Sequence, residues 1–170
     1  MDMKALLLAT HANMLGTLDG LVAKAANHAK SAELLGARLA DDMHPLSTQI
    51  RFLANMPGEA LERLGLIRFT SREDDPQTYE EAHAIIAEAR ALVEDAARFD
   101  FPDETTPLAM DLPNGMTFDL TAQEYVRDWA LAQFYFHTVA AYAILRQAGL
   151  EVGKADYVPH MFKYLRKPAG

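Results

Sequence analysis

Gln133 and His137 stand one helical turn apart within the segment Trp129–Leu145, which is otherwise almost entirely apolar. A helix with no polar face is normally buried on all sides, within its own bundle or against a partner subunit. Burying an amide and an imidazole there is costly unless both side chains find hydrogen-bond partners. This pair is therefore the strongest indication of a functional site in the chain.

Metal binding is one chemistry that this spacing suggests. A His-x-x-x-His pair on a helix points two imidazoles to one side and chelates zinc, nickel or iron, and here glutamine takes the first position. Gln49 lies on the core face of an earlier helix, from which a third ligand could come. An amide is a poor transition-metal ligand, so two other interpretations stay open. Gln49, Gln133 and His137 could bond to one another and to buried water, or they could line a pocket for a small molecule.

A second candidate lies at the start of that earlier helix, where Asp42 and His44 precede Pro45. His44 could act as a general base or a ligand near the mouth of the bundle, with Asp42 beside it. The plainer interpretation is that one of the two caps the helix. Trp129 and Tyr142 are candidates for a pocket wall, although aromatic residues on all sides of a helix also suit a core or a dimer interface.

The other histidines carry no comparable signal. They are spread over different segments and share no useful helical face: His11, His28, His83 and His160. For His83, at the border of an apolar stripe, we expect a satisfied core or boundary histidine rather than a ligand. Neither a Gly-x-Ser-x-Gly motif nor a glycine-rich phosphate loop is present, so nucleophilic catalysis and phosphate binding have no support.

Composition narrows the class of protein further. Half of the 170 residues are hydrophobic, the formal net charge is −8, and cysteine is absent. Without cysteine the chain can form no thiolate zinc site, disulfide or cysteine nucleophile. Its basic residues are scattered, whereas nucleic-acid binding needs a concentrated basic face. We therefore expect no nucleic-acid partner.

From the sequence pattern we also expect no targeting segment. The apolar run before His11 is too short for the core of a signal peptide, which needs roughly 7–15 residues. No run approaches the ~18 consecutive apolar residues of a membrane span. The sequence thus predicts a cytoplasmic protein with no membrane partner.

Apolar periodicity predicts four long helices. The first runs from about Met3 to Lys30 and is followed by a short helix over 31–39. Pro45 is expected as the first residue of helix two, where its missing N–H is not needed. Pro57 and Gly58 should kink or break that helix.

Helices three and four share a start signal. Both open with a Thr-x-x-Glu sequence, at Thr78 and at Thr121, which is the spacing of a capping box. Helix four should run to about Gln147 and stop at Gly149.

The segment between helices three and four has a different pattern. Residues 109–112 and 116–120 alternate as a β-hairpin around Pro113-Asn114-Gly115, and Asn-Gly favours a type I′ turn. The tail, 150–170, shows no helical period. We therefore predict an all-α protein, a four-helix bundle with a small hairpin, as one domain over 1–170 with its core at 3–149.

Several motifs resemble a known family. They are Phe134-Tyr135-Phe136-His137, Ala141–Arg146, Ala37–Ala40, Asp42-Met43, Pro45-Leu46, Gly149, Gly153-Lys154 and Asp156-Tyr157. Together they resemble a bacterial branch of the DinB/YfiT-like superfamily that is a domain of unknown function. The resemblance covers the chain from helix one to about Tyr157.

This resemblance implies an up-down-down-up bundle that is often dimeric. Relatives in the superfamily hold a divalent metal with one histidine on helix two and a His-x-x-x-His pair on helix four. Some of them act as metal-dependent thiol transferases or isomerases. The corresponding positions here are Gln49, Gln133 and His137, so only His137 keeps the ligand type.

Three functions follow as hypotheses. The favoured one is a bundle with a degenerate metal site, no bound cofactor and a pocket for an unknown small molecule near Gln49, Gln133 and His137. The second is a metal-dependent, thiol-transferase-like enzyme in which zinc or nickel is held by His137 with His44, Asp42 or another residue. The third is a non-catalytic homodimeric module whose interface buries helix four.

Overall fold

The computed structural model describes residues 2–112 and 114–166. Helices dominate it, and a two-stranded antiparallel hairpin precedes the last long helix, as predicted. In chain order the elements are α1 (Met3–Ala26), α2 (Ser31–Leu34), α3 (Leu46–Arg63), α4 (Tyr79–Asp95), a 3₁₀ turn (Ala96–Arg98), β1 (Pro107–Asp111), β2 (Thr117–Thr121), α5 (Ala122–Glu124), a π-helical segment (Tyr125–Ala130), α6 (Leu131–Gln147), α7 (Lys154–Tyr157) and a second 3₁₀ segment (Pro159–Tyr164).

The bundle is formed by α1, α3, α4 and α6, with α1 and α3 each packed mainly against α4 and α6. Lys4, near the start of α1, donates to the carbonyl oxygen of Phe99 beyond the end of α4, at 2.7 Å. Asp19, farther along α1, lies 2.6 Å from Nδ1 of His83 near the start of α4. The helices α1 and α4 are therefore antiparallel, and His83 is a partnered boundary residue, as expected.

Contacts of α6 set the other two directions. Gln49, near the start of α3, bonds His137 of α6, whereas Met56 lines a cavity with Ala130, at the start of α6. Hence α3 and α6 are antiparallel. Leu7 of α1 packs in the same apolar cluster as Ala130, so α1 and α6 start at the same end. These directions give the predicted up-down-down-up bundle.

The first helix, α1, is shorter than predicted. It ends at Ala26 rather than Lys30, because the Asn27 side chain donates to the Ala23 carbonyl and satisfies that end of the helix. By length and composition alone, α1 could cross a membrane, although polar residues interrupt its apolar positions. Half of its most apolar 18-residue stretch is buried inside the protein, and α1 packs as a core helix of the bundle.

The helix α3 differs from the prediction at both prolines. Pro45 is its N-cap, in extended backbone geometry, and Leu46 is the first helical residue. At Pro57 and Gly58 the helix neither breaks nor ends but continues to Arg63. Both residues are buried, and a Cβ on Gly58 would lie 2.3 Å from the Phe69 ring. The tertiary packing of this face offsets the single hydrogen bond that proline removes.

The hairpin forms where the sequence places it, with a different turn. The strands pair from Pro107–Thr121 to Asp111–Thr117. Gly115 donates to the Leu112 carbonyl at 2.9 Å and has φ +84°, but Asn114 does not have positive φ. A type I′ turn needs positive φ at both central residues, so that prediction is wrong. Pro113 lies outside the described residues.

The two predicted capping boxes differ in completeness. At Thr121 both reciprocal bonds form, since its hydroxyl accepts from the Glu124 N–H and the Glu124 carboxylate accepts from the Thr121 N–H. At Thr78 the hydroxyl accepts from the Glu81 N–H, but the Glu81 carboxylate turns to the N–H of Gln77. The last long helix then ends at Gln147, as predicted, with Gly149 at φ +95°.

The C-terminal segment is more ordered than its weak periodicity suggested, up to residue 166. It contains α7 and a 3₁₀ segment. Leu150 and Val152 are buried in the main core. Thr17 of α1 donates to the Tyr157 carbonyl at 3.0 Å, which fastens the segment to the bundle.

Candidate functional site

Gln49 and His137 form a direct side-chain bridge between α3 and α6. The Oε1 atom of Gln49 lies 2.7 Å from Nδ1 of His137. The Nε2 atom of Gln49 donates to the carbonyl oxygen of His44 at 3.3 Å. Because this second bond uses the NH₂ end of the amide, Oε1 is the end that faces the imidazole. Nδ1 of His137 is therefore the donor, and its Nε2 is left as an acceptor.

Aromatic side chains pack beside this bridge. The Phe52 ring makes edge contacts with the His137 ring at 5.0 Å and with the His44 ring at 5.2 Å, and Phe136 lies 5.1 Å from His137. Burial, and to a smaller extent the neighbouring His44, lower the pKa of His137 to about 4. His137 is thus neutral near pH 7, which makes it a hydrogen-bonding group of the core rather than a charged one.

Gln133, one turn earlier on α6, has a different environment. It lines a cavity of about 160 Å³ together with Met56, Glu59, Tyr125, Trp129 and Ala130. Within residues 2–112 and 114–166, no hydrogen bond joins Gln133 to Gln49 or His137. The three residues therefore do not form one cluster. Gln49 and His137 form a hydrogen-bonded pair, which we call the closed pair, and Gln133 lines a separate cavity.

A second cavity of about 530 Å³ adjoins the first. It is lined by Glu59, Glu62, Arg63, Ser71, Tyr125 and Trp129. Three residues, Glu59, Tyr125 and Trp129, belong to both cavities. We call the two together the α3–π groove, because they lie between the second half of α3 and the π-helical segment.

The π-helical segment brings the aromatic wall of the groove into place. A π-helix has more residues per turn than an α-helix and often occurs at functional sites. Residues four apart then lie nearly one above the other, and Tyr125 and Trp129 are such a pair on the α3 side. The complete capping box at Thr121 fixes the start of this helix just before the segment.

The charged residues of the groove are partly committed to the chain. Oε1 of Glu59 accepts from the Ser71 hydroxyl at 2.6 Å, and Oε1 of Glu62 accepts from the Phe69 N–H at 3.1 Å. Burial raises the pKa of Tyr125 to about 12, with Arg63 lowering it and Glu59 raising it. Tyr125 therefore keeps its proton at neutral pH.

The other predicted site residues lie apart from the groove. Asp42 is exposed in the loop before α3. His44 contributes its carbonyl to Gln49 and packs its exposed ring on Phe52. Tyr142 faces the C-terminal segment, where its ring meets that of Tyr157 at 5.8 Å. Trp129 is the predicted wall residue that lines the same cavity as Gln133.

Sequence reasoning missed most of the groove. In the sequence, Tyr125 is one of several aromatic residues on the last long helix and does not stand out as a site residue. The acidic and basic residues of α3 likewise gave no prediction of a site. Glu59, Glu62 and Arg63 have the spacing of one helix face, and this was an available signal. The expected kink or break at Pro57 and Gly58 hid it, because 60–66 could then be either the second half of this helix or a separate short helix.

The metal that the superfamily implies does not fit the donors present. Two of the three corresponding side chains are amides, which are poor transition-metal ligands, so only one imidazole is present at these positions. Across the described part of the chain, no three His, Asp or Glu side chains are grouped so that they could hold a metal ion. No chemical step is therefore derived through a metal at Gln49, Gln133 and His137.

Comparison with known proteins agrees with the geometry of the bundle. A family described as a domain of unknown function, DUF1993, matches residues 3–158. Among solved structures, the chain is similar to a DinB family member protein from Shewanella denitrificans, determined at 1.83 Å resolution. The two are 26% identical over 98% of this chain and 94% of that chain, with a TM-score of 0.74. No curated protein matches.

Proposed function

We propose that this chain, which belongs to the DUF1993 family and folds as a DinB-like bundle, binds a small organic molecule in the α3–π groove without a metal. The single observation that carries the proposal is the cavity at Gln133. A polar side chain in an otherwise apolar helix either has a partner or faces a space that a ligand or water can fill. Gln133 faces such a space.

The composition of the groove supports a ligand-binding role. Ligand pockets combine apolar and aromatic walls with a few polar groups that orient the ligand. Here Met56, Trp129 and Ala130 supply apolar surface, and Gln133 and Tyr125 supply polar atoms. Tyr125 is only 4% exposed, and its hydroxyl makes no hydrogen bond within the described residues.

The metal-dependent alternative has weaker support. It requires His137 to be joined by His44, Asp42 or a residue from another helix. The His44 ring packs on Phe52, and Asp42 is exposed in its loop. Both positions differ from the inward-facing ligand set that a closed bundle site needs.

A fragment screen on the full chain tests the proposed binding role. The protein is labelled at its methionine methyl groups and titrated with a set of small aromatic and aliphatic fragments. We expect some fragments to shift the Met56 methyl signal and to quench Trp129, the only tryptophan. Met161, exposed in the C-terminal segment, should not respond.

A cavity-filling variant provides the matched control. Ala130 is buried against the smaller cavity, whereas Ala132 is exposed on the same helix. The substitution Ala130→Met should fill the space and abolish the fragment shifts, and Ala132→Met should leave them unchanged. Binding that survives Ala130→Met in a folded protein, or a screen in which no fragment moves Met56, would contradict the proposal.

A second proposal concerns assembly, and a specific surface favours it. The outer face of α6 exposes Tyr135 (44%), Phe136 (58%) and, one turn later, Val139 (49%). We propose that this face pairs with the same face of a second copy, as isologous dimers do. Contiguous exposed apolar patches mark such interfaces.

Sedimentation of charged variants tests the dimer. Tyr135→Asp and Val139→Asp should convert a dimer into monomers while the far-UV circular dichroism is retained. Leu165→Asp, a charge on an exposed apolar residue of the C-terminal segment, is the matched control and should stay dimeric. A wild-type protein that sediments as a monomer, or α6 variants that stay dimeric, would show that this interface is wrong.

A further inference from the structure

The larger cavity of the α3–π groove has an excess of negative charge. Two carboxylates, Glu59 and Glu62, face one guanidinium, Arg63. Each carboxylate accepts one bond from the chain through its Oε1 atom. Within the described residues their Oε2 atoms accept none, so each can accept a hydrogen bond from a ligand.

Aromatic side chains face the same cavity. Trp129 and Tyr125 line it together with the two carboxylates. A cation near an aromatic face is attracted by the ring quadrupole, most strongly for tryptophan. The Tyr125 side chain is more than nine-tenths buried, and its hydroxyl oxygen has no partner in the described structure. It can accept a hydrogen bond from a ligand that enters the cavity.

The smaller cavity sets the shape of the rest of the ligand. Its volume is about 160 Å³, and Met56 and Ala130 line it. An apolar cavity of about 150 Å³ is known to accommodate benzene. A phenyl-sized apolar group therefore fits beside Gln133, with its substituent directed toward Glu59, which borders both cavities.

We infer that the α3–π groove selects organic cations, namely primary amines that carry a phenyl-sized apolar group. This inference rests on the proposed binding function. The ammonium group donates to Glu59, Glu62 and the Tyr125 oxygen, and the apolar group occupies the space next to Met56. Arg63 favours an anion at the same cavity, so the sign of the preferred charge is the property to be measured.

Three probes of nearly equal size separate charge from shape. They are 2-phenylethylamine, 2-phenylethanol and 3-phenylpropionate, titrated into the full chain at neutral pH with methyl signals and calorimetry as readouts. We expect the amine to bind at least about ten-fold more tightly than the other two. Its affinity should fall with added salt, and that of the alcohol should not.

A pair of charge-neutralising variants locates the preference. Glu59→Gln keeps an oxygen that can accept from Ser71 and removes one negative charge from the groove. It should reduce the preference for the amine over the alcohol by about ten-fold. Glu94→Gln, on the exposed surface of α4, removes the same charge elsewhere and should leave the preference unchanged.

The outcomes distinguish this inference from the function on which it rests. If the alcohol binds as tightly as the amine, or the carboxylate binds most tightly, the cation preference is wrong and the binding function stands. If none of the three shifts Met56 up to about 10 mM while other fragments do, the inference is again overturned by itself. If no fragment of any kind binds, both fail.

Discussion

Two successive turns of α6 carry polar side chains with different environments. His137 is bonded to Gln49 and lies against the rings of Phe52 and Phe136, whereas Gln133 faces a cavity next to Trp129. The difference teaches that a polar residue in an apolar helix marks a requirement for a partner, not the identity of that partner. One turn of helix separates a structural bridge from a candidate binding surface.

The backbone before α6 accounts for the difference. At the level of His137 the helix is regular, and the facing turn of α3 supplies Gln49 at hydrogen-bonding distance. At the level of Gln133 the helix has just left the π-helical segment, and Ala130 leaves space that Met56 does not fill. We therefore expect the bonded pair to contribute stability, and we propose the cavity beside Gln133 as the binding surface.

Breaking the closed pair should have the largest effect. The substitution Gln49→Ala leaves Nδ1 of His137 without its acceptor and the His44 carbonyl without its donor. We expect the free energy of unfolding, measured by urea titration, to fall by about 2–3 kcal/mol. Gln147→Ala, at the exposed end of α6, is the control and should change it little. Equal losses in the two variants would mean that the bridge does not stabilise the bundle.

Acidification should weaken the closed region next. His11 is 1% exposed against Phe134, its Nε2 atom has no hydrogen-bond partner among residues 2–112 and 114–166, and burial lowers its pKa from 6.5 to about 3. The pKa of His137 is likewise lowered to about 4. Because the unfolded chain takes up these protons first, stability is complete above about pH 6.5 and is lost as the pH falls toward 4.

The size of this pH effect can be assigned to His11. Between pH 7 and pH 5 it should lower the free energy of unfolding by about 2 kcal/mol, with a smaller addition from the more exposed His137. His11→Phe removes the titrating group and keeps a ring against Phe134. The pH dependence of this variant should be weaker by about that amount. An unchanged profile would place the titration elsewhere.

Loosening the open region should have a moderate effect. Thr121→Ala removes the hydroxyl that caps the helix just before the π-helical segment. We expect a loss of about 1 kcal/mol in the free energy of unfolding and a shifted indole signal of Trp129 in NMR spectra. Thr117→Ala, in the same strand, is the control, since it removes a hydroxyl that donates to the exposed Asp111 side chain. A Trp129 signal that moves equally in both variants would argue against the capping box as the support of the groove.

The smallest effect on stability is expected at Gln133 itself. Gln133→Ala should lower the free energy of unfolding by about 0.5 kcal/mol or less, because the side chain faces a cavity rather than a partner. The same variant should change fragment affinity clearly. A stability loss as large as that of Gln49→Ala would show that Gln133 belongs to the closed pair, and the comparison between the two turns would be wrong.

Local signals predicted much of the fold and one half of the site. The capping box at Thr121 forms within four residues of chain, and the stop at Gly149 depends on the backbone freedom of one residue. One of the interpretations left open had Gln49, Gln133 and His137 bonding to one another, and Gln49 and His137 do bond. In each case the residues that decide the outcome share a helix end or a helix face, so the spacing in the sequence contains the information.

Other features depend on residues that are distant along the chain. The helix α3 continues past Pro57 because Phe69 packs on Gly58, and no local propensity includes that contact. The C-terminal segment is held by Thr17, Leu150 and Val152 rather than by its own periodicity. The π-helical geometry at Tyr125–Ala130 had no signal in the sequence.

By itself, the sequence determined the helices, their apolar faces, the hairpin and the family resemblance, because these depend on periodicity and end signals within a few residues. The tertiary structure alone decided that Gln133 faces a cavity, that Glu59 and Tyr125 border it, and that His11 is buried with no partner at Nε2 in the part of the chain that the structure describes. The physical reason is that a cavity is space left between helices. Its existence depends on how side chains from separate segments fill that space, which no single helix determines.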